Sequence, residues 1–286
     1  MYSVPADPSF AGVAIDAIAS SRGCPFNCTF CSFDRNPWGQ KRPWSARSPE
    51  SVVRELEETD AKYVIFVDDN FTHDMDRVAA ICDLIQRRGI RKRYAVNARV
   101  EIARRPDVLR KMERAGFSVL LLGIESAQDR TLRSMKKGFG TKRLREYFRV
   151  LRKTRMILHG YFIIGSIGET EEEMMEIAPF ARALGLDSLG LSPLRNSRYS
   201  GLEELVAVNP AYHIKANGEI FSDALSTARL REIRHSICRH FYWRPGQVLS
   251  MLTKMLRNEL MPLNMLPRLP AFLLRKMLRW RASRVV

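Results

Sequence analysis

Three of the chain's five cysteines, Cys24, Cys28 and Cys31, fall within eight residues, and none is placed to serve an apolar core. Their C-x3-C-x2-C spacing, on a loop opened by Arg22-Gly23 and carrying Pro25, lets three thiolates converge on one face of a compact soft-metal cluster. Structural zinc asks for four protein ligands, and the nearest further donors, His73 and Cys82, are not at finger-like spacing. A 4Fe-4S cube held by three cysteines instead leaves one iron open to an outside ligand, and chemistry can happen there. A disulfide would strand one thiol of the three. A three-cysteine 4Fe-4S site is the favoured reading, with zinc second.

The segments around this loop predict how it is held. Val13 to Ser20 reads as a short apolar strand running into the cysteines, and Ser48-Pro49 opens a helix with Val52, Val53 and Leu56 on one face. Tyr63–Val67 has the length and β-branched content of a buried strand. The alternation continues with helices carrying Val78, Ile81 and Ile85, then Val108 and Met112, then Leu144, Phe148 and Leu151. Strands are predicted near 94–99, 119–124, 161–164 and 188–191, and Thr170-Glu171-Glu172-Glu173 matches a capping box for one further helix running through Leu184. Single helices between strands demand a parallel sheet. Six strands rather than eight predict an α/β fold, a partial (β/α)6 TIM-like barrel. It is expected over residues 13–195, after a lead-in at 1–12 and before a mainly helical, basic extension at 196–286, where 202–223 has no clear period. Parallel α/β folds carry their chemistry at the carboxyl ends of the strands. Beside the cysteines, those ends present Asp68-Asp69-Asn70, Asn97 with Arg99, Glu125-Ser126, Gly165 to Glu169, and Arg195.

The cysteine run, with aromatic Phe30 directly before Cys31, resembles the signature of the radical S-adenosylmethionine (SAM) enzymes. The resemblance implies that SAM chelates the open iron and that an electron from the cluster splits it into methionine and a 5'-deoxyadenosyl radical, which takes a hydrogen from the substrate. It implies that Phe30 packs near the adenine and that Asp68, Asp69 and Asn70 face the methionine amino end; an Asx turn opening the next helix is the alternative for those three. Glu125 and Ser126 are implied at the ribose or methionine moiety. Gly165 and Gly168 fall in the family's glycine-rich loop, whose backbone meets adenine; Ile167 stands where many relatives have proline, which leaves the loop's shape open. Arg99, Tyr161 and Arg195 are further candidates for substrate or cofactor contact. An electron donor such as a flavodoxin or ferredoxin is implied as partner.

Ser21-Arg22-Gly23-Cys24-Pro25-Phe26-Asn27-Cys28, Val67-Asp68-Asp69-Asn70-Phe71, Gly123-Ile124-Glu125-Ser126 and Phe241-Tyr242-Trp243-Arg244-Pro245 together resemble the subgroup that carries a cobalamin domain before its barrel. That subgroup contains methylases and cyclases. Here only about twenty residues precede the barrel, short of a domain of ordinary size, and no Asp-x-His-x-x-Gly motif occurs. The expectation is that cobalamin does not bind this chain alone and that the reaction is cobalamin-independent or the chain a truncated relative. The alternative is a methylase or cyclase with cobalamin supplied in trans. The substrate is expected to be a small molecule, lipid-like or a secondary metabolite.

Among the remaining groups, Cys82 lies on an apolar helix face and reads as core, Cys238 as a free, half-buried thiol, and His235 and His240 as surface residues of a basic helix. The net charge of +16 is uneven, about +2 over 1–132, about +9 over 133–155, about −6 over 156–228 and about +11 over 229–286. Such fields attract nucleic acid, anionic lipid or acidic ligands without choosing among them. A metal-cluster module holding RNA through 133–155 is the competing class, against a solvated outer helix; without an RNP-like strand or OB-like domain, nucleic acid is disfavoured. The start has no basic, apolar leader, so a cytoplasmic protein is expected. In the tail, 271–280 sets Phe272 or Leu273, Met277 and Trp280 to one side and cations to another. This is an interfacial pattern that could hold the chain at an anionic membrane face, against a tail packed on the barrel.

Overall fold

The computed structural model describes residues 14–261. β1 (Ile15–Ile18) runs into the cysteine loop, whose flanks pair as a small antiparallel ribbon of β2 (Ser21–Arg22) and β3 (Ser45–Ala46). α1 (Pro49–Glu58) starts as expected, with Ser48 Oγ accepting from the Ser51 N–H and Val52, Val53 and Leu56 buried. There follow β4 (Tyr63–Phe66), α2 (Met75–Arg87), β5 (Arg93–Ala98), a 3-10 turn at Val100–Arg104, α3 (Pro106–Ala115) and β6 (Phe117–Glu125). α4 (Asp129–Ser134), α5 (Thr141–Leu151) and β7 (Ile157–Ile164) come next. The predicted capping box is present, Thr170 and Glu173 each bonding the other's backbone, but the helix behind it is split into α6 (Glu171–Met175) and α7 (Ile177–Leu184). Pro179 is the physical reason: it has no N–H to return to Met175, so the helix must restart around it. β8 (Ser188–Pro193) completes the sheet.

The six strands lie in the order β1-β4-β5-β6-β7-β8, every neighbouring pair parallel, which is the open partial barrel the alternation predicts. One face, with Val64, Phe66, Tyr94, Val96, Leu120, Leu122, Leu158 and Phe162, is fully buried beneath the helices. The other, with Ala17, Ile65, Ala95, Asn97, Leu121, His159 and Tyr161, is half open. Successive side chains of a strand point to opposite faces, so the second row lines the barrel's interior.

The region beyond Pro193 is more ordered than its sequence suggested. α8 (Leu202–Ala207) and a hairpin of β9 (Tyr212–Ile214) with β10 (Ile220–Ser222) fill 202–223. α9 (Thr227–Tyr242) packs on α6 and α7, and its Leu230, Ile233, Ile237 and Phe241 belong to the same core as the barrel. Tyr242 Oη accepts from the Leu189 N–H (2.9 Å) and donates to the Leu189 carbonyl (3.0 Å), satisfying the free edge of β8. α10 (Pro245–Arg257) is held by Lys254 on Asp187 (2.7 Å). The tail residues 271–280 lie outside the described residues; among the described ones no helix is long and apolar enough to cross a membrane.

Candidate active site

The cysteine loop is pinned from below before any of its thiols is considered. Gly23, at φ +85°, turns the chain out of the ribbon, and its N–H donates to Asp69 Oδ2 at 2.7 Å. Cys24 N–H donates to the Phe33 carbonyl (3.1 Å), Cys31 N–H to the Cys28 carbonyl (3.0 Å), and Thr29 reaches Met135 and Ser134 across the barrel mouth. Cys28 is buried; Cys24 and Cys31 are half-buried, and all three are free thiols. Burial, with a smaller contribution from the neighbouring thiols, pushes the Cys24 thiol up and the Cys31 thiol up to about 11. The three are therefore mutual electrostatic neighbours. Cys24 and Cys31 keep their protons until metal displaces them. Among the described residues no three side chains converge on a single ion; thiolates that each bind a different iron of one cube need not.

Asp68 is fully buried, and its carboxylate accepts from Ser20 N–H (2.7 Å), Ser20 Oγ (2.6 Å) and Ser21 Oγ (2.5 Å). It bolts the end of β4 to the end of β1. Asn70 is also buried, its Oδ1 taken by Thr72 Oγ1 (3.3 Å). Asp68 and Asn70 are thus occupied by the scaffold and Asp69 by the loop. The bonds of Asp68 and Asp69 run across the fold to Ser20, Ser21 and Gly23 and not to a turn of their own, and the next helix, α2, is capped by Asp74, which accepts from the Arg77 N–H.

Glu125 ends β6 with φ +75°, where the pairing register with β7 shifts. The kink folds its side chain back over Gly123: a Cβ there would lie 2.6 Å from Oε1. Glu125 Oε1 accepts from Lys137 Nζ at 3.1 Å, both side chains almost wholly buried, and Ser126 is fully buried, its Oγ accepting from the Gln128 N–H. Lys137 Nζ stands 5.8 Å over the Phe30 ring. Phe30 packs beside Leu194, Leu202 and Ile220 with Ile163 and Ile167, so the aromatic before the third cysteine and the glycine-rich loop share one small apolar cluster. In that loop Gly165 and Gly168 have φ near +75°, a conformation that favours glycine. Gly168 donates its N–H to Tyr212 Oη (2.6 Å) and accepts from Arg130 (2.7 Å). Glu169 accepts from the Ser166 N–H (3.0 Å), and burial pushes its carboxyl up to about 7.

Arg99 joins the site and Tyr161 lines the interior above it, 40% exposed. Arg195 does not join: its guanidinium is taken by Glu219 at 3.0 Å. Two groups were not singled out from sequence. Lys137 sits in a basic run that reads as solvated surface; its only signal is the Gly138-Phe139-Gly140 that follows it. His159 faces the interior, Nδ1 2.8 Å from Ser188 Oγ and its ring edge-on to Tyr161 at 4.7 Å, its pKa lowered by burial. Alternation along β7 was the signal available. Cys82 is core as expected and Cys238 half-buried.

Known proteins share the sequence pattern and the fold of this chain over part of their length. An uncharacterized methyltransferase of Pyrococcus horikoshii is 33% identical over 180 residues, 62% of this chain and 38% of that protein. The anaerobic magnesium-protoporphyrin IX monomethyl ester cyclase of Cereibacter sphaeroides is 29% identical over 172 residues, 58% of this chain and 28% of that protein. The chain thus spans well under half the length of these relatives. The radical S-adenosylmethionine methyltransferase TsrM from Kitasatospora setae superposes with a TM-score of 0.60 over 71% of this chain and 40% of its own, at 19% identity, a likeness of fold. Residues 18–181 match the Radical SAM superfamily, and over more than half its length, from β1 through the glycine-rich loop into α7, this chain belongs to that superfamily.

Proposed function

We propose that this chain holds a 4Fe-4S cluster through Cys24, Cys28 and Cys31, binds SAM at the open iron, and cleaves it reductively to a 5'-deoxyadenosyl radical that abstracts hydrogen from a small or lipid-like substrate. The observation that carries the reading is the meeting of three neighbouring free thiols with a buried ion pair and a positive-φ glycine loop at the carboxyl end of one parallel sheet. The donor set fits the cluster: three thiols, no fourth, at the mouth of a half-open barrel. Bound there, the cluster supplies one electron at low potential.

The chain's own residues orient and enclose. Asp68 and Asp69 fix the loop that aims the thiols. Phe30, Ile163 and Ile167 give an apolar bed for an adenine, with the backbone of Gly165 to Gly168 beside it. The Glu125–Lys137 pair offers one carboxylate and one ammonium to the zwitterionic methionine end of SAM, a role shared with Lys137 rather than carried by Glu125 alone. Asn97, His159, Tyr161 and Ser188 face the interior where a substrate would lie, a polar wall opposite Ala17, Ile65 and Ala95.

A low-potential flavodoxin or ferredoxin is the proposed electron donor, and cobalamin is not bound tightly by this chain alone, because it carries no Asp-x-His-x-x-Gly motif. A methylase or cyclase reaction with cobalamin supplied in trans is the second reading, consistent with relatives that are a methyltransferase and a cyclase. The basic tail holds the chain reversibly at an anionic membrane surface. Anaerobic reconstitution with iron and sulfide, followed by electron paramagnetic resonance of the reduced cluster with and without SAM, tests the site. A SAM-dependent change in the signal is expected, and a cluster signal indifferent to SAM would overturn the reading.

A further inference from the structure

We infer that Arg99 sets the reduction potential of the cluster, an inference that rests on the three-cysteine site proposed above. Arg99 follows the last residue of β5, and its side chain is 11% exposed. Its Nη1 lies 4.0 Å from Cys28 Sγ, within reach of an N–H to sulfur contact. The guanidinium plane covers the Phe26 ring at 3.6 Å. Nη2 donates to the Lys137 carbonyl (2.6 Å) and to Glu101 (2.7 Å). Phe26 and Cys28 belong to the loop itself, so the cation is clamped against the ligand that is most buried.

Reduction adds one electron to the cube and makes the cluster with its thiolates one charge more negative, with no bond made or broken; the electron comes from the low-potential donor. A guanidinium cannot discharge at any working pH, and in a partly dry site a fixed cation acts over several ångströms with little screening. It therefore stabilises the reduced state more than the oxidised one, and its N–H draws electron density from Cys28 sulfur. Net charge and hydrogen bonds to sulfur are among the main levers on such potentials. Lys137, a second nearby cation, is paired with Glu125 at 3.1 Å, whereas Arg99 keeps one N–H on Cys28 sulfur. Glu101 plays the same part toward Arg99 from the side away from the contact with sulfur, so the two residues act on the potential with opposite sign.

The experiment is a reductant titration of the reconstituted chain, followed by electron paramagnetic resonance, with iron content measured on each sample. Arg99→Gln is expected to shift the reduction equilibrium at least tenfold toward the oxidised cluster, about 59 mV more negative for one electron. Glu101→Gln, which leaves the guanidinium in place and uncompensated, is expected to shift it in the positive direction. An Arg99→Gln protein with full iron and the wild-type potential would overturn the inference while leaving the cluster site intact. If Arg99→Gln takes up no cluster, the sign of the Glu101→Gln shift decides, and an unchanged or more negative potential overturns it. A wild-type chain that assembles no cluster overturns the site reading and this inference together.

Discussion

Lys137 Nζ and Glu125 Oε1 meet 3.1 Å apart, twelve residues apart in sequence, with both side chains all but closed to solvent. Removing one partner of a buried pair leaves the other charge unpaired, at a cost of about 3–5 kcal/mol. Glu125→Gln and Lys137→Met are each expected to lower apo stability by that order, and the double variant by less than their sum. Urea unfolding of the four proteins measures it. Strict additivity would mean that the pair is not coupled. Calorimetric SAM titration of the reconstituted proteins should show affinity falling in both single variants at unchanged iron content.

Asp68 accepts three hydrogen bonds from Ser20 and Ser21 while fully buried. Asp68→Ala would orphan three donors, each costing about 1–3 kcal/mol, so a loss on the order of 3 kcal/mol or more and reduced cluster uptake are expected. Thermal unfolding and iron analysis check this. An Asp68→Ala protein of wild-type stability but poor SAM affinity would move the residue from scaffold to cofactor contact.

Burial pushes the Glu169 carboxyl up to about 7, above the ordinary carboxylate range. The unfolded chain therefore loses this proton first as pH rises, and stability declines from about pH 4.5 until it levels above pH 7. Glu169→Gln keeps an acceptor for the Ser166 N–H and removes the titration. The variant should gain stability relative to wild type as pH goes from 4.5 to 8, by about 1–3 kcal/mol. A constant difference across that range would show that Glu169 does not titrate there.

Cys24→Ala, Cys28→Ala and Cys31→Ala should each abolish cluster binding, whereas Cys82→Ala and Cys238→Ala should leave iron content and visible absorbance unchanged. Cys82 lies on the buried face of α2, within the core, so its replacement costs packing rather than metal. A normal cluster in any of the first three variants would contradict the ligand assignment.

The sheet was legible because its strands are short, apolar and each followed by a helix start, as at Ser48-Pro49 and Thr170. Spacing made the cysteines legible. What was not legible depended on three-dimensional closure. Lys137 looks like one of many cations in the sequence, and only the fold turns it onto Glu125; Arg99 was legible as a strand-end candidate, but its seat against Phe26 and Cys28 was not. The positive φ of Glu125, and with it the need for Gly123, has no local sequence cause. The hairpin at 212–222 is too short to show a period, and the attachment of α9 to the barrel core runs through Leu230 and Tyr242, contacts set by topology.

The central claim is that this chain cleaves SAM by one-electron reduction. The chain, reconstituted anaerobically with iron and sulfide, is incubated with SAM and dithionite, and the products are resolved by liquid chromatography and mass spectrometry. The account predicts 5'-deoxyadenosine and methionine in equal amounts from the wild type and neither from Cys28→Ala. A wild-type chain with a full cluster that forms no 5'-deoxyadenosine, or a chain that takes up zinc and turns over no SAM, would contradict it.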